Sequence, residues 1–579
     1  MIILGISAYY HDSSAALVCD GRLVSAAAEE RFTGIKHDSS FPVNAVNFCL
    51  NANNLGINEI DKIVFYEKPL TKFDRIISGY MQTAPKSYAA FRKAIPIWLR
   101  EKLWTPQTIK KKLDYNGEIF FVEHHLSHAA GTYYSSPFDS STILTIDGVG
   151  EWTTASIGIG EGNKIRLVKT MNYPHSVGLL YSAFTYFLGF RVNSSEYKVM
   201  GLAPYGKPVY ADLIKNELVK IFEDGSIVLN MKYFSFHYGL RMTGRKFEKL
   251  FGRKRRLPES ELSESDKNMA ASIQAVTEKI ILKMAQYARE KFGNENLCLA
   301  GGVALNSSAA GKLKDSGLFK NIYIQPASSD SGAAAGAALY LSYSLSDKRK
   351  IYEQPYFSME PTYGNKEIVG FLIENDIRFH HYDSVKMASV MAREISEGKI
   401  CALFNGQMEF GPRALGFRSI IADPRNPNMK NIINKKIKFR ESFRPFAPAV
   451  LEEHVDDFFE NGIRSPYMLF NFKVKKGMES VIPAVTHIDN TARIQTVNRS
   501  DNKLFYNIIE EFAKITGVPV LLNTSFNLRG RPIVNGPTDA IKTFVSSGID
   551  LLVMQDSVIY KQELSEDTIS KFKIASGID

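Results

Sequence analysis

One structural pattern occurs twice in the N-terminal part of this chain of 579 residues, and it restricts the folds that the chain can adopt. In each copy an apolar strand precedes two strand-like stretches that form a hairpin, over residues 2–28 and again over residues 141–168. Polar side chains stand where the strand opens into the hairpin: His11 and Asp12 in the first copy, Asp147 in the second. Two such copies facing each other can hold one phosphate chain between them. The repeat therefore predicts a duplicated α/β domain that binds phosphate.

This repeat resembles the phosphate loops of the actin, sugar kinase and heat-shock ATPase superfamily. Two further strand–loop–helix units follow it, after an amphipathic helix predicted over residues 265–292. The strand that begins at Leu297 ends in Gly301-Gly302, where the missing side chains let backbone amides approach a nucleotide. A small-residue helix is predicted over residues 333–341, and its glycines and alanines fit tight helix packing equally well.

Composition favours a soluble enzyme of about two to four domains. The four cysteines form no C-x-x-C pair, which argues against a zinc ribbon or a disulfide framework and favours a reducing cytoplasm. No apolar run approaches about 18 residues, so we expect no membrane span and no membrane partner. The net charge of +10 is accompanied by basic clusters at residues 86–112 and 253–256. We expect these clusters to face an anionic partner, with a solvated basic surface as the alternative. We expect no nucleic acid, because no groove-reading helix motif accompanies them.

Residues 348–356 are predicted to link a first domain, 1–347, to a second domain, 357–579, because the charged stretch before residue 356 has no apolar periodicity. The second domain carries cations on proline-rich loops and beside turns, an arrangement suited to bidentate phosphate binding. An exposed salt bridge is the alternative for any one of them. The candidate binding residues are Arg413, Arg418, Lys438, Arg444, Arg493 and Arg529, with Asn527 in an asparagine-rich turn.

His124 and His128 are four residues apart at a predicted helix start, so their side chains project from one face and can share one cation. His125 points elsewhere and stands where a zinc protease has glutamate, which disfavours that class. Asp147 and Asp330 would complete a His and carboxylate set suited to Fe(II), Mn(II) or Zn(II). A hydrogen-bonded histidine pair without a metal is the alternative.

Taken together, ordered motifs along nearly the whole chain resemble one family, the O-carbamoyltransferases that include the nodulation-factor, cephamycin and tobramycin enzymes. The motifs are Ile3-Leu-Gly-Ile-Ser7, His11-Asp12, Glu29-Glu-Arg-Phe32, Lys36-His37, Glu123-His-His-Leu-Ser-His-Ala129, Glu196-Tyr-Lys-Val-Met-Gly-Leu-Ala203, Ala300-Gly-Gly-Val-Ala-Leu-Asn306, Gly411-Pro-Arg-Ala-Leu-Gly416, Phe443-Arg-Pro-Phe-Ala-Pro448 and Asn523-Thr-Ser-Phe-Asn527. Two residues depart from the family pattern, since Arg531 and Asn490 stand where Glu and Gly are usual.

The resemblance implies an α/β fold with two domains. The first is a duplicated actin/sugar-kinase-like (ASKHA) domain related to the tRNA threonylcarbamoyl-transfer proteins, and the second is a C-terminal YrdC-like α/β domain. The second domain would use ATP and carbamoyl phosphate as co-substrates to make carbamoyl adenylate, releasing pyrophosphate and phosphate. The first domain would then transfer the carbamoyl group to an acceptor hydroxyl and release AMP.

The resemblance also implies roles for particular residues. A divalent metal, iron by similarity, would bind His124, His128, Asp147 and Asp330, with Mg²⁺ an additional candidate for ATP. The nucleotide would contact Gly301, Gly302 and Asn306. Carbamoyl phosphate and the triphosphate would bind Arg413, Lys438 and Arg444, in a pocket completed by Arg493, Asn527 and Arg529. The catalytic candidates are His11, which would assist deprotonation of the acceptor hydroxyl, and its neighbours Asp12 and Lys36.

Two alternative functions remain open at this point. A tRNA threonylcarbamoyltransferase, or another carbamoyl-processing maturation enzyme, shares both domain types; a non-catalytic ATP-switched binding protein shares the first. The acceptor is expected to be a hydroxyl of a small molecule or glycan, with its pocket within residues 66–115 and 209–261, where the resemblance is weakest. A homodimer is a further expectation.

Overall fold

The computed structural model describes residues 1–352 and 359–574. The chain divides into two compact units: the first comprises Met1–Glu29 and His37–Glu353, and the second comprises Glu30–Lys36 and Gln354–Asp579. The sequence did not predict that Glu30–Lys36 belongs to the second unit. Residues 353–356 of the proposed linker lie outside the described residues, so the linker 348–356 and its domain boundaries stay predictions.

The strands and helices have the following bounds. The strands are β1 (Ile2–Ser7), β2 (Ser14–Cys19), β3 (Arg22–Ala28), β4 (Lys62–Phe65), β5 (Glu118–Phe121), β6 (Ser140–Ile146), β7 (Thr153–Glu161), β8 (Lys164–Asn172), β9 (Val219–Ile221), β10 (Ile227–Leu229), β11 (Asn296–Ala300), β12 (Asn321–Ile324), β13 (His380–His381), β14 (Cys401–Phe404), β15 (Arg418–Ala422), β16 (Ala447–Leu451), β17 (Asn471–Lys473), β18 (Thr491–Arg493), β19 (Gln495–Val497), β20 (Val520–Ser525), β21 (Leu551–Met554) and β22 (Ser557–Tyr560). The α-helices are α1 (Glu30–Thr33), α2 (Val43–Asn51), α3 (Pro69–Gln82), α4 (Tyr88–Arg100), α5 (Thr105–Leu113), α6 (His124–Ser135), α7 (Val177–Phe187), α8 (Glu196–Leu202), α9 (Ala211–Leu213), α10 (Arg245–Leu250), α11 (Glu264–Phe292), α12 (Ser307–Asp315), α13 (Asp330–Ser344), α14 (Asn365–Glu374), α15 (Ser384–Ser396), α16 (Met429–Lys436), α17 (Val455–Phe458), α18 (Met478–Val481), α19 (Lys503–Thr516), α20 (Pro537–Val545) and α21 (Glu566–Phe572).

The first unit contains two sheets with the same strand order. Within its described residues one sheet has the order β3-β2-β1-β4-β5, and the other has the order β8-β7-β6-β11-β12. In both, an antiparallel hairpin lies on one side of the first strand and two parallel strands lie on the other. The repeat predicted from the two hairpin patterns is confirmed, and it extends to the parallel strands that follow each hairpin.

Helices α6 and α13 follow the last strands of the two sheets and pack against each other. Small residues allow the close approach of their backbones. A Cβ atom on Gly336 would lie 1.9 Å from the carbonyl oxygen of Ser127, and one on Gly5 of β1 would lie 2.0 Å from that of Ala334. Because neither position has room for a side chain, close packing requires glycine at both.

The predicted amphipathic helix is confirmed as α11, and its ends follow from local chemistry. The hydroxyl of Ser263 accepts a hydrogen bond from the backbone N–H of Asp266 at 3.3 Å, and Asp266 accepts one from the N–H of Ser263 at 2.8 Å. This is a capping box. The helix ends at Gly293, which adopts φ 69°.

The second unit is a mixed α/β unit. In its described residues one sheet has the order β13-β22-β21-β14-β15-β20-β16-β19, and a smaller sheet pairs β17 with β18. Segment Glu30–Lys36 is anchored here because the buried Arg31 donates hydrogen bonds to Glu360 at 2.8 Å and to the carbonyl oxygen of Gly411 at 2.7 Å.

Among residues 1–352 and 359–574, the helices are too short or too polar to cross a membrane.

Candidate metal centre and candidate phosphate-binding site

Four polar side chains of the first unit converge where strands end and helices begin. Asp147 directly follows β6, while His124 and Asp330 are the first residues of α6 and α13, and His128 lies one turn further along α6. Asp330 therefore opens a helix, whereas the sequence had placed it in the loop before that helix. All four side chains are buried. We call this group the His–Asp cluster.

The ligand atoms of the His–Asp cluster are close to one another. The Nε2 atoms of His124 and His128 lie 3.0 Å apart, and Nε2 of His124 lies 3.1 Å from Oδ2 of Asp147. Oδ1 of Asp330 lies 3.7 Å from each imidazole Nε2. Ligand atoms held at about 2.1 Å from one metal ion are about 3.0 Å apart in an octahedron and about 3.4 Å apart in a tetrahedron. The spacing of the four side chains therefore fits a single cation.

The protonation of these groups is strongly perturbed. Burial lowers the pKa of His124, but Asp330 and Asp147 raise it more, to about 9. Burial and the charge of His124 hold the pKa of His128 well below its ordinary value. Burial raises the pKa of Asp330, and its Oδ2 has no hydrogen-bond partner among the described residues. A buried carboxylate oxygen without a partner is costly, so the chemistry of the donor set also fits a divalent cation.

His125 is turned away from the cluster, as the sequence predicted. Its Nδ1 lies 2.6 Å from the hydroxyl of Thr145, and burial lowers its pKa to about 3. The second oxygen of Asp147 accepts a hydrogen bond from the backbone N–H of Gly302 at 2.9 Å. One oxygen of Asp147 is thus fixed by the glycine turn, which leaves Oδ2 for the imidazoles.

His11 and Asp12 form a hydrogen-bonded pair in the loop after β1. Nδ1 of His11 donates to Oδ2 of Asp12 at 3.0 Å, and Nδ1 of His37 donates to Oδ1 at 2.7 Å. Asp12 and His37 adopt φ angles of 53° and 58°, which non-glycine residues rarely do. Nε2 of His11 lies 4.0 Å from Asp330, so the pair adjoins the His–Asp cluster. Burial lowers the pKa of His11, but Asp330 and Asp12 raise it more, to about 9.

Of the predicted nucleotide-binding residues, the two glycines lie beside the His–Asp cluster. Gly301 has a φ of 91°, and a Cβ atom there would lie 2.3 Å from the carbonyl oxygen of Ile146. Asn306 instead caps α12 and exchanges two amide hydrogen bonds of 3.0 Å with Gln274. Because the chain itself occupies these groups, Asn306 supports the loop, and its contact with a nucleotide stays a prediction.

Glu151 is a site residue that the sequence did not single out. Its buried carboxylate accepts hydrogen bonds from the backbone N–H of His124, at 3.1 and 3.2 Å to its two oxygens, and from that of Lys68 at 2.8 Å. It therefore holds the first residue of α6, where a negative charge is favourable. The available signal was its position four residues after Asp147, within the second hairpin.

In the second unit, Arg413, Arg440, Arg444 and Arg493 form what we call the arginine cluster. Burial lowers the pKa of Arg493, and the positive charges of the other three lower it further, well below its ordinary value. Its Nε is buried and has no hydrogen-bond partner among the described residues. Cations held this close are stabilised by an added anion. The structure thus brings together the candidate residues Arg413, Arg444 and Arg493, with Arg440 of the same proline-rich stretch beside them.

Lys438 is held by the asparagine-rich turn of the predicted set. Its ammonium donates to Oδ1 of Asn527 at 2.8 Å and also to the backbone carbonyl of Ser525. Burial and nearby positive charges, of which Lys36 is one, lower the pKa of Lys438 well below its ordinary value. Lys36 belongs to the second unit and is one of these cations, and its catalytic role beside His11 stays a prediction.

Arg418 and Arg529 have very different environments. Arg418 is fully buried, lies 3.8 Å above the ring of Phe404 and donates to backbone carbonyls, among them that of Asn405 at 2.8 Å. Its guanidinium therefore stabilises the fold, in contrast to the predicted binding of phosphate. Arg529 is exposed and donates to the carbonyl of Phe439 at 3.3 Å.

Comparison with known proteins identifies the family to which the chain belongs. Residues 2–339 match the family model described as the carbamoyltransferase N-terminus, and residues 392–561 match the carbamoyltransferase C-terminus. The chain therefore belongs to the carbamoyltransferase family, as its ordered motifs predicted, and it is a transferase.

Three relatives and one solved structure illustrate the range of similarity. Nodulation protein NolNO of Sinorhizobium fredii is 35% identical over 98% of this chain and 81% of its own length. An uncharacterized protein of Synechocystis sp. is 46% identical over 96% of each chain, and nodulation protein U of Sinorhizobium fredii is 27% identical over 90% of this chain and 93% of its own. T. kodakarensis HypF aligns with 59% of this chain and 48% of its own length, at a TM-score of 0.31 and 14% identity.

Proposed function

We propose that this carbamoyltransferase is an ATP-dependent O-carbamoyltransferase that forms carbamoyl adenylate and then carbamoylates a hydroxyl of a sugar or secondary metabolite. The observation that carries the proposal is the convergence of the buried His–Asp cluster with the His11–Asp12 pair in the first unit. The duplicated sheet order supports an actin- and sugar-kinase-like fold for this unit. The second unit, proposed to be YrdC-like, supplies the separate arginine cluster.

Activation is assigned to the arginine cluster of the second unit. Water cleaves carbamoyl phosphate to carbamate and inorganic phosphate. A carbamate oxygen then attacks the α-phosphorus of ATP, the bond from this phosphorus to the bridging oxygen breaks, and pyrophosphate leaves. Arg413, Arg444 and Arg493 bind the phosphate groups bidentately and stabilise the charge that develops during the transfer.

Transfer is assigned to the first unit. The acceptor oxygen attacks the carbamoyl carbon of the adenylate, the bond from that carbon to the AMP oxygen breaks, and AMP leaves. The acceptor proton passes to Nε2 of His11 in its neutral form, which, because of the raised pKa, is more abundant at high pH. Nδ1 is committed to Asp12, and this fixes the orientation of the ring. His37 holds the other oxygen of Asp12 and keeps this carboxylate in place.

The His–Asp cluster has the donor set for a divalent cation. When bound, such a cation would offset the charge of the carboxylates facing His11 and stabilise the phosphate of the leaving AMP. The side chains that would hold it are His124, His128, Asp147 and Asp330. Their nitrogen and oxygen donors suit Fe(II), Mn(II) and Zn(II) alike.

The test is the nucleotide product profile. Purified protein is incubated with ATP, carbamoyl phosphate and Fe(II), and the products are identified by mass spectrometry. We expect AMP and pyrophosphate, formed only when carbamoyl phosphate is present. Untouched ATP, or ADP as the sole product, would contradict adenylation and favour an ATP-switched binding protein.

A further inference from the structure

Helix α3 turns two cations toward the interior of the first unit. Lys72 and Arg75 are three residues apart, so they share one face of the helix, and both are buried. Lys72 has a counter-charge, since its ammonium is hydrogen-bonded to the buried carboxylate of Glu67. Lys72 also lies 4.9 Å above the ring of Tyr10. One of the two cations is thus neutralised within the fold.

Arg75 is not neutralised in this way. It is 7% exposed, and among the described residues no carboxylate lies within 4.0 Å of its guanidinium and no acceptor receives its hydrogen bonds. Its contact is with the ring of Tyr173, 5.1 Å away. The nearest acids are committed elsewhere, Glu67 to Lys72 and Glu151 to backbone N–H groups. A buried guanidinium in this state is stabilised by an anion from outside the chain.

Tyr10 connects Arg75 with the proposed transfer site. Its ring lies 4.5 Å from the ring of His11, and the residue is 37% exposed. Burial raises the pKa of Tyr10, and the charge of Asp330 raises it further, whereas the charge of Arg75 lowers it. The phenol of Tyr10 therefore interacts electrostatically with both the His–Asp cluster and the guanidinium. The partly exposed ring of Tyr10 therefore adjoins the proton acceptor, and the charge of Arg75 acts on its phenol.

The two segments expected to shape the acceptor pocket meet at this place. Arg75 comes from residues 66–115 and Phe236 from residues 209–261, and both contact Tyr173, with 6.4 Å between the two ring centroids. Lys86 of the first segment lowers the pKa of His237 of the second, after the larger effect of burial. The segments that resemble the family least thus meet at Tyr173, beside Arg75.

We propose that Arg75 binds an acidic group of the acceptor, so that the substrate class is a sugar-like hydroxyl compound carrying a carboxylate or a phosphate, placed on Tyr10 with its hydroxyl toward His11. This inference rests on the proposed function, because it names the acceptor of the same transfer site. A neutral hydroxyl compound would leave the guanidinium without a counter-ion. The anion therefore contributes to specificity for the acceptor.

The test is ligand binding, which needs no turnover. Saturation-transfer NMR compares D-glucuronate and glucose 6-phosphate with glucose, on the full chain and on Arg75→Met. We expect the two acids to bind at least about tenfold more tightly than glucose, and Arg75→Met to remove that preference. The carboxylate and phosphate arms identify which acid is preferred. Binding of glucose as tight as that of both acids, or no binding of either acid, would overturn the proposal.

Two controls complete the experiment. Arg166→Met removes an exposed arginine of β8, outside both segments, and it should leave acid binding unchanged. The acid-to-neutral comparison on the unaltered chain decides the proposal even when Arg75→Met does not fold. ATP/pyrophosphate exchange with carbamoyl phosphate, measured without any acceptor, tests the proposed function separately. Exchange without acid binding defeats this inference alone, whereas acid binding without exchange defeats the adenylation step.

Discussion

The His–Asp cluster is buried and the arginine cluster is half-buried, and each contains a buried polar atom without a partner, an acceptor in the first and a donor in the second. In the first, Oδ2 of Asp330 is an acceptor that no described donor satisfies. In the second, Nε of Arg493 is a donor that no described acceptor satisfies. Because the atom without a partner is an acceptor in the first cluster and a donor in the second, we expect the first to bind a cation and the second an anion. The two units are therefore expected to lose their activities independently.

Removing a carboxylate from the His–Asp cluster should have the largest effect. We expect Asp330→Asn to lose bound Fe(II) and to lower carbamoyl transfer by about 1000-fold, since several kcal/mol of charge stabilisation disappear. Metal content after anaerobic loading is measured by mass spectrometry, and transfer is followed with radiolabelled carbamoyl phosphate and D-glucuronate. Asp212→Asn, which alters an exposed acid of α9, is the charge-matched control. Full metal content in Asp330→Asn would remove Asp330 from the ligand set.

The complementary change in the second unit should leave the metal in place. We expect Arg493→Met to lower ATP/pyrophosphate exchange on the order of several hundred-fold, because a buried donor for a phosphate group is lost. Its metal content should equal that of the unaltered chain. The control is Arg378→Met, which removes an exposed arginine. If Arg493→Met loses metal and keeps exchange, the assignment of ligand sign to the two clusters is reversed.

A third variant separates transfer from activation. We expect His11→Asn to lower carbamoylation of D-glucuronate by about 100-fold, because no side chain then accepts the hydroxyl proton at that position. Exchange should be unchanged, since the arginine cluster is intact. His381→Asn, at an exposed position of β13, controls for the loss of an imidazole. Equal losses in both assays would show that His11 does not act at the transfer step.

The first cluster could be predicted from the sequence much more fully than the second. His124 and His128 are related by helix geometry alone, and the two aspartates stand at ends of the repeat's strands and helices. By contrast, the cations of the second unit come from loops and from the ends of two strands, Arg418 in β15 and Arg493 in β18, so no periodic pattern relates them. Whether an arginine there faces a ligand or the core depends on tertiary contacts, as the fully buried Arg418 demonstrates. The fold of the first unit was predictable because its repeat consists of hairpins, whose strands and turns are neighbours in the sequence.

Residues that act through the backbone were not predictable from either pattern. Glu151 binds the N–H of His124 and not its ring, so no spacing rule for metal ligands points to it. Segment Glu30–Lys36 was missed because its membership in the second unit depends on hydrogen bonds that Arg31 makes to distant residues, Glu360 and Gly411. In both cases the decisive hydrogen bonds join residues that are far apart in the sequence, so no local pattern predicts them.

The smallest effect on metal binding is expected from a change at Glu151. It tests whether the His–Asp cluster depends on the hydrogen bonds that fix the start of α6. Glu151→Gln keeps the shape of the side chain but weakens its hydrogen bonds to the backbone N–H groups of His124 and Lys68, since charge-assisted bonds are stronger than neutral ones. We expect about tenfold weaker Fe(II) binding with unchanged exchange, the size typical of residues that orient metal ligands. Titration with Fe(II) under anaerobic conditions measures this, with Glu161→Gln, an exposed change in β7, as control. Unchanged affinity would mean that packing against α13 alone fixes the start of α6, whereas loss as complete as in Asp330→Asn would mean that Glu151 is itself a ligand.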